Sequence, residues 1–210
     1  IVVMSNSVVI TSATRTAVGS LGKTLKNTHG YELGATVINE AVKSSNLKTN
    51  EIDEVIMGQV LTGGAGHNPA RQAAIESKLP KEIPSYVVNQ VCGSGLRSIA
   101  SGYHSILSDN SNIIIAGGQE SMSQAPHVVH LRNGKKLGDT ELVDSMIKDG
   151  LWDAFNGYHM GITAENVAQQ FQVTRKDQDK FAFDSQTKAL KAQKENKFDD
   201  EIIPFTIQLK

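Results

Sequence analysis

The only cysteine of this 210-residue chain, Cys92, lies where an apolar run meets a helical pattern. The apolar run covers residues 86–91, Gly93-Ser94-Gly95 follows the cysteine, and the helical period begins at Leu96. This order predicts a strand that turns into a helix at the thiol. A helix N-terminus has unpaired N–H groups and the positive end of the macrodipole, and both favour thiolate over thiol. Because the thiolate is the reactive form, the pattern indicates nucleophilic chemistry at Cys92.

The local pattern also fits a second interpretation of Cys92, a small buried side chain that only fills space. Against it, the apolar run ends at the cysteine, so the thiol does not lie within a core stripe. Two glycines would each cost about 1 kcal/mol relative to alanine inside a helix. In a first turn they are tolerated, and they let a substrate approach the backbone closely. From the residues alone, both interpretations stay open.

Composition limits the classes of partner and compartment. The chain is 39% hydrophobic and 20% charged, which is ordinary for a globular protein, and its net charge of −1 argues against a nucleic-acid partner. No run approaches the ~20 apolar residues of a membrane span. The six histidines do not combine with cysteine or carboxylates at metal-ligand spacing, so no metal is expected. A single cysteine cannot form an internal disulfide, which predicts a reducing, cytoplasmic location.

Strand and helix signals alternate through residues 4–118. Strands are predicted at residues 8–10, 54–60, 86–91 and 112–116, and one helix is expected to begin at Asn68-Pro69. This alternation indicates an α/β sheet with helices on both faces. The helix after Cys92 is expected to bury an apolar stripe, formed by Leu96, Ile99, Ala100, Tyr103, Ile106 and Leu107.

The alternation of strand and helix signals stops after Gly118, and residues 119–210 are predicted to form a separate part of the fold. Polar loops come first, and helices are then predicted at residues 162–171 and after Thr174, which forms a capping pair with Asp177. Residues 202–207 resemble a strand. His159 lies between two glycines just before a helix, which makes it a candidate ligand contact.

Four segments, in this order along the chain, resemble segments of the thiolase family. They are Asn68-Pro69-Ala70-Arg71-Gln72-Ala73-Ala74, Asn89-Gln90-Val91-Cys92-Gly93-Ser94-Gly95-Leu96, Gly117-Gly118-Gln119-Glu120-Ser121-Met122-Ser123 and residues 157–168. The second is similar to the segment that carries the acylated cysteine of thiolases. Residues 158–166 are most similar to the acetoacetyl-CoA class. The resemblance covers essentially the whole chain.

The resemblance implies a layered αβαβα fold built from two related domains, with a loop domain inserted in the first. Residues 4–118 would be the N-terminal core, and residues 119–210 the first part of the loop domain with the tetramerisation segment and the CoA-binding loop. The C-terminal thiolase domain would be absent from this chain. The implied reaction is reversible condensation of two acetyl-CoA to acetoacetyl-CoA and CoA through an acetyl-cysteine.

The resemblance also implies roles for particular residues. Cys92 would be the nucleophile, and its backbone N–H would form part of an oxyanion hole. Leu151, His159 and Met160 would line the site for the pantetheine arm of CoA. CoA and its esters would be substrates and products, with no separate cofactor. Homodimers or homotetramers would assemble through the strand before Cys92 and a segment from His127 to about Gly150.

The resemblance implies that a histidine base and a second cysteine lie in the C-terminal domain, so the 210 residues alone are expected to be inactive. Four alternatives stay open: a longer-chain 3-ketoacyl-CoA thiolase, a condensing enzyme of the ketoacyl synthase branch, a non-catalytic CoA-binding or assembly module, and a redox-sensing thiol. The segment around His159 and Met160 argues against the synthase branch. The lack of a neighbouring cysteine argues against the redox sensor.

Overall fold

A computed structural model describes residues 7–207 of the chain. A three-stranded parallel sheet organises the first part of these residues. The strands lie in the order β2-β1-β3, so β1 is central. Helices alternate with the strands along the chain, which confirms the predicted α/β class: α1 (Gly30–Ser44), β1 (Glu54–Gly58), α2 (Pro69–Glu76), β2 (Ser85–Val88), α3 (Ser94–Leu107) and β3 (Ile114–Gly118).

The core lies on both faces of β1. Val55, Ile56 and Met57 are each at most 1% exposed. Val55 and Met57 pack with residues of α1 and α2 on one face of the sheet. Because side chains along a strand point to opposite faces in turn, Ile56 faces the other side, on which α3 packs. The α1–α2 side is an aliphatic cluster completed by Ile38, Val42, Ile52, Ala70, Ala73, Ala74, Leu79 and Ile83. Residues 30–118 therefore form three layers, a helical layer on each face of the sheet.

The helix expected at Asn68-Pro69 is present as α2. The Asn68 side chain accepts a hydrogen bond from the Arg71 N–H at 3.2 Å, and Pro69 occupies the first helical position, where no N–H is needed. This start was predictable because cap and capped group are three residues apart.

The predicted buried stripe of α3 is wrong at four of its six positions, and the other two, Ala100 and Ile106, are half-buried. Leu96, Ile99, Tyr103 and Leu107 are 44–74% exposed, whereas the buried residues of α3 are small. They are Ser94, Ser98 and Gly102. The Ser98 hydroxyl donates to the Gly117 carbonyl at 2.6 Å, which attaches this small face to β3. The helix packs on the sheet through the face whose small residues allow a close approach. Its apolar face points away from the sheet.

Gly58, the last residue of β1, is the closest point of that approach. A Cβ at this position would lie 2.6 Å from the Gly95 N and 2.7 Å from the Ser94 O, closer than atoms can pack. Gly118, the last residue of β3, is also adjacent, since a Cβ there would lie 3.4 Å from the Gly95 Cα. The start of α3 therefore rests on the carboxyl ends of two strands.

Three of the predicted strands have different ends. The strand expected at 54–60 ends at Gly58. The Gln59 N–H still reaches the Val88 carbonyl at 3.2 Å, but the N–H groups of Val60 and Leu61 turn to the Glu120 carboxylate, at 2.8 and 3.3 Å. The strand expected at 112–116 begins only at Ile114, because the Asp53 carboxylate accepts the N–H groups of the two residues before it, and it continues through Gly118. The strand expected at 86–91 covers Ser85–Val88. Side chains distant in sequence decide the first two of these ends.

Two further predicted strands are not formed. Val9 and Ile10 in the segment 8–10 are 71% and 77% exposed, and no strand among residues 7–207 pairs with them. A strand needs a ladder partner, so the apolar pattern alone is insufficient. In the segment 202–207, only Ile202 forms an isolated bridge, to Arg15, and Pro204 offers no N–H for a ladder.

The remaining chain has two short hairpins and two helices. The hairpins consist of β4 (His127–Val128) with β5 (Val143–Asp144) and β6 (Trp152–Asp153) with β7 (Tyr158–His159), and a π-helical turn, Met146–Leu151, lies between them. The helices are α4 (Met160–Gln170) and α5 (Arg175–Lys194), which confirms both predicted helices.

The predicted capping pair at the start of α5 is also present. The Thr174 hydroxyl accepts from the Asp177 N–H at 3.2 Å, and hydrogen bonds from Thr174 lower the pKa of Asp177. The division at residue 118 stays a prediction, and its outer limits at 4 and 210 lie outside the described residues. None of the helices within residues 7–207 combines the length and apolar character needed to cross a bilayer.

Gly58→Ala should displace the start of α3, because the new methyl group would overlap the backbone of Ser94 and Gly95. Overpacking of this kind costs about 1–3 kcal/mol of unfolding free energy. Urea denaturation measures the loss. Gly63→Ala is the matched control, since nothing lies within 4 Å of its Cβ position. Equal midpoints for the two variants would contradict the close contact.

Candidate active site

Cys92 lies in the short connection between β2 and α3. Its side chain is exposed, Gly93 is the N-cap, and the helix begins at Ser94. The predicted strand-to-helix turn is therefore present, although three residues separate Cys92 from the end of β2 at Val88. The thiol is open to a large reactant and lies one residue before the helix cap.

Three backbone donors at Cys92 and in the first turn of the helix that follows it have no acceptor among the described residues. Within residues 7–207, no hydrogen bond is made by the N–H groups of Cys92, Gly95 and Leu96. The last two belong to the first turn of α3, where the helix dipole is positive. Such N–H groups can stabilise a negative charge on the sulfur or on an oxygen next to it.

The residue before the cysteine has an unusual backbone conformation. Val91 has φ of 48°, in the left-handed region that a β-branched residue rarely enters. The Asn89 Oδ1 accepts the Val91 N–H at 2.9 Å. The Ser94 hydroxyl donates to the Val91 carbonyl at 2.6 Å and accepts the Gln90 N–H at 2.8 Å. These contacts explain why the predicted strand stops short of Val91.

A buried amide pair ties the carboxyl edge of the sheet to α2. The Gln119 Nε2 donates to the Gln59 Oε1 at 2.9 Å and to the Pro69 carbonyl at 3.1 Å. The Gln59 Nε2 donates to the Leu61 carbonyl at 3.0 Å. Both glutamine residues are less than 8% exposed. This network fixes the strand ends on which α3 begins. Sequence analysis missed it because polar residues after a strand are typical of loops.

Leu151, His159 and Met160 come together at the second hairpin. Trp152 pairs with His159, which places Leu151, just before Trp152, near Met160, just after His159. The His159 Nδ1 accepts the Gly161 N–H at 3.0 Å and so caps α4. In the neutral imidazole the proton is then on Nε2, which is left to donate to a ligand.

The turn of this hairpin is organised by Asp153. Its Oδ1 accepts the N–H groups of Phe155 and Asn156 at 2.8 and 2.9 Å, and its Oδ2 accepts from the Asn156 side chain at 2.7 Å. These hydrogen bonds lower the pKa of Asp153 below its ordinary value of 3.8. The carboxylate is therefore charged, and the turn is held, throughout the neutral pH range.

The structure does not join these two groups of predicted site residues. No hydrogen bond within residues 7–207 connects Cys92 with the hairpin of His159. A cavity of about 490 Å³ lies elsewhere and is lined mainly by residues of three segments, at 21–27, 122–127 and 144–146. In the described part of the chain, no group of three or more His, Cys, Asp or Glu side chains is placed to hold a metal ion.

The relatives of this sequence are acyltransferases by name. The chain is 55% identical over 206 residues to an acetyl-CoA acetyltransferase of Rhizobium meliloti. This match covers 98% of this chain and 52% of the relative. It is 52% identical over 201 residues to a probable acetyl-CoA acyltransferase of Staphylococcus epidermidis, at 95% and 51% coverage. The chain thus spans about half the length of the curated relatives it matches.

The fold comparison gives the same result. The crystal structure of the Bacillus anthracis acetyl-CoA acetyltransferase matches with a TM-score of 0.93 and 37% sequence identity, over 96% of this chain and 51% of that chain. This agreement confirms the predicted thiolase-like α/β fold. A model of the N-terminal domain of thiolases matches residues 8–210. The resemblance seen in the four sequence segments is therefore confirmed, and the chain belongs to the thiolase family.

Proposed function

We propose that this chain is the acyl-accepting part of an acetyl-CoA C-acetyltransferase, which condenses two acetyl-CoA reversibly to acetoacetyl-CoA and CoA. The observation that carries the proposal is the exposed thiol of Cys92 just before a helix whose first turn, with Cys92 itself, has three N–H groups without acceptors among the described residues. The names of the relatives support acetyl-CoA as the substrate.

In the first half-reaction the Cys92 thiolate attacks the carbonyl carbon of acetyl-CoA. The carbonyl oxygen becomes an oxyanion, which the Cys92 N–H stabilises as one donor of an oxyanion hole. The carbon–sulfur bond to CoA then breaks, and CoA leaves as the thiolate. The product is an acetyl thioester on Cys92.

In the second half-reaction, the methyl carbon of a second acetyl-CoA loses a proton and attacks the acetyl-cysteine. A carbon–carbon bond forms, the bond to the Cys92 sulfur breaks, and acetoacetyl-CoA is released with the thiolate restored. Two proton acceptors are needed, one for the Cys92 thiol and one for the methyl carbon of the second acetyl-CoA. Both are expected in the part of the protein beyond these 210 residues. The 210-residue chain by itself is therefore proposed to be inactive in the complete reaction.

The hairpin residues Leu151, His159 and Met160 are proposed to hold the pantetheine arm of CoA. They combine two apolar side chains with one imidazole whose Nε2 can donate a hydrogen bond. CoA is bound here as substrate and product, and no separate cofactor is proposed.

Self-association through β2 is proposed as the basis of a homodimer, and of a homotetramer built from it. β2 is an edge strand of the described sheet, and its Tyr86 is 39% exposed. An edge strand with unpaired backbone groups can extend a sheet into a second copy. The segment 127–150 is proposed to join the dimers.

A longer-chain 3-ketoacyl-CoA thiolase is the second candidate, because some relatives carry the broader name of probable acetyl-CoA acyltransferase. Thiolysis rates of acetoacetyl-CoA and of a longer 3-ketoacyl-CoA separate the two candidates. A preference for the longer ester would replace the acetyl assignment and leave the role of Cys92 unchanged.

Cys92→Ser should abolish acetyl-enzyme formation, because a hydroxyl ionises far less readily than a thiol. Incubation of the full-length protein with acetyl-CoA should add about 42 Da to the intact mass if a thioester forms. Neutral hydroxylamine should remove the added mass, since it cleaves thioesters and leaves amides intact. Full thiolysis activity in the serine variant would refute the nucleophile assignment.

His159→Ala should raise the KM for the CoA substrate several-fold, roughly three- to tenfold, with a smaller change in kcat, as expected for a binding contact. His159→Asn separates binding from capping, because asparagine is a good N-cap but lacks the imidazole. His67→Ala, at another exposed histidine, is the control. A loss confined to kcat would argue against a role in the binding site.

The outward apolar face of α3 should bind a hydrophobic dye in the isolated 210-residue chain, because its large side chains are exposed there. Leu96→Lys should reduce the dye fluorescence clearly, since Leu96 is 74% exposed on this face. Leu137→Lys is the matched control, because Leu137 is 92% exposed but lies outside the helix. Equal fluorescence of both variants would contradict the existence of this face.

A further inference from the structure

We propose that Ser94 is a positioning residue for the oxyanion hole, with Asn89 in a supporting role. Its hydroxyl orients the peptide group between Val91 and Cys92, so that the Cys92 N–H faces the reacting thioester. This inference rests on the proposed role of Cys92 as the acylated nucleophile.

The peptide group between Val91 and Cys92 links the two residues that matter for this role. The Val91 carbonyl and the Cys92 N–H belong to the same planar unit, and no peptide bond in the described chain is cis. In a trans peptide the two groups point in opposite directions. A hydrogen bond to the Val91 oxygen therefore fixes the direction of the Cys92 N–H.

The Ser94 hydroxyl makes the shorter of two hydrogen bonds to this oxygen, at 2.6 Å, and the Ser94 backbone N–H makes the other, at 3.1 Å. The hydroxyl also accepts the Gln90 N–H at 2.8 Å. It therefore holds the peptide group between Asn89 and Gln90 and the one between Val91 and Cys92 at once. Donation to a carbonyl oxygen also polarises the peptide, which makes the N–H at its other end a stronger donor. The Cys92 N–H has no acceptor among the described residues, so this strengthening is available to a ligand.

The backbone of Val91 needs such support. A β-branched residue is strained at φ of 48°, and strain of this kind persists only when surrounding contacts hold it. Val91 is 50% exposed, so packing of its side chain within the described residues does little to hold it. The Asn89 Oδ1 supplies a further contact by accepting the Val91 N–H at 2.9 Å.

Ser94 is itself held by the sheet. It is 4% exposed, and its peptide with Gly95 lies against Gly58. The position of the hydroxyl is therefore set by the rigid core, and the hydroxyl transfers that position to the peptide of Val91 and Cys92.

Two reactions of the same sulfur test the proposal in the full-length protein. Acylation by acetyl-CoA passes through an oxyanion, whereas alkylation by iodoacetamide does not. Ser94→Ala should slow acylation of Cys92 about tenfold, less than the 10²–10³ typical of losing an oxyanion donor outright. Alkylation, quantified on the peptide that carries Cys92, should change by less than about twofold. The KM for acetyl-CoA should stay the same.

Three further variants complete the test. Asn89→Ala, at an exposed position, should slow acylation in the same selective way but less, and it covers the case in which Ser94→Ala does not fold. In a Val91→Gly background the effect of Ser94→Ala should shrink, because glycine adopts positive φ without strain. Ser77→Ala is the control, since Ser77 is another buried serine with an internal hydrogen bond.

Parallel loss of acylation and alkylation would overturn the proposal, because it would indicate general disruption of the turn. An unchanged acylation rate, or an equal effect of Ser94→Ala in both backgrounds at residue 91, would also overturn it. Cys92→Ser distinguishes this failure from failure of the proposed function. If that variant still becomes acetylated, the nucleophile assignment itself is wrong.

Discussion

The close contact between the start of α3 and the strand ends is the constraint on which the rest of the structure depends. Gly58 and Gly118 end two neighbouring strands, and the backbone of Ser94 and Gly95 rests directly on them. Any side chain at Gly58 would push the helix away. Because Cys92 is attached to the first turn of this helix, the position of its thiol is set by backbone packing and requires no long side chain to hold it.

This contact also determines which face of α3 meets the sheet. A helix can approach a sheet this closely only through small residues, and α3 offers Ser94, Ser98 and Gly102. Hydrophobic periodicity, which measures apolar character, cannot detect a face made of serine and glycine. The prediction therefore found the correct helix but assigned the wrong face to the sheet. The apolar face is equally periodic and is left outward.

The same reasoning explains which boundaries the sequence predicts. The starts of α2 and α5 depend on side chains within three residues of the groups that they cap, so Asn68 and Thr174 were sufficient signals. The end of β1 depends on Glu120, and the start of β3 depends on Asp53. Each of these carboxylates is about 60 positions away along the chain from the N–H groups that it accepts. Local patterns cannot contain such information. The α/β alternation was predictable because it repeats in every unit of the sheet.

The candidate site likewise has one part that local sequence signals predict and one part that they do not. Cys92 could be proposed as the nucleophile from the sequence because it is the only cysteine and lies at a break between two patterns. The role of Ser94 could not, since serine after glycine is ordinary and its significance depends on the backbone angle of Val91. The donors around the thiol are backbone N–H groups, which carry no titratable proton and need none to stabilise an oxyanion. Their geometry arises from contacts among residues 89–94 and the glycine at the end of β1. The one oxyanion donor proposed in this chain, the Cys92 N–H, is therefore positioned by contacts within the chain, through hydrogen bonds to the peptide group that carries it.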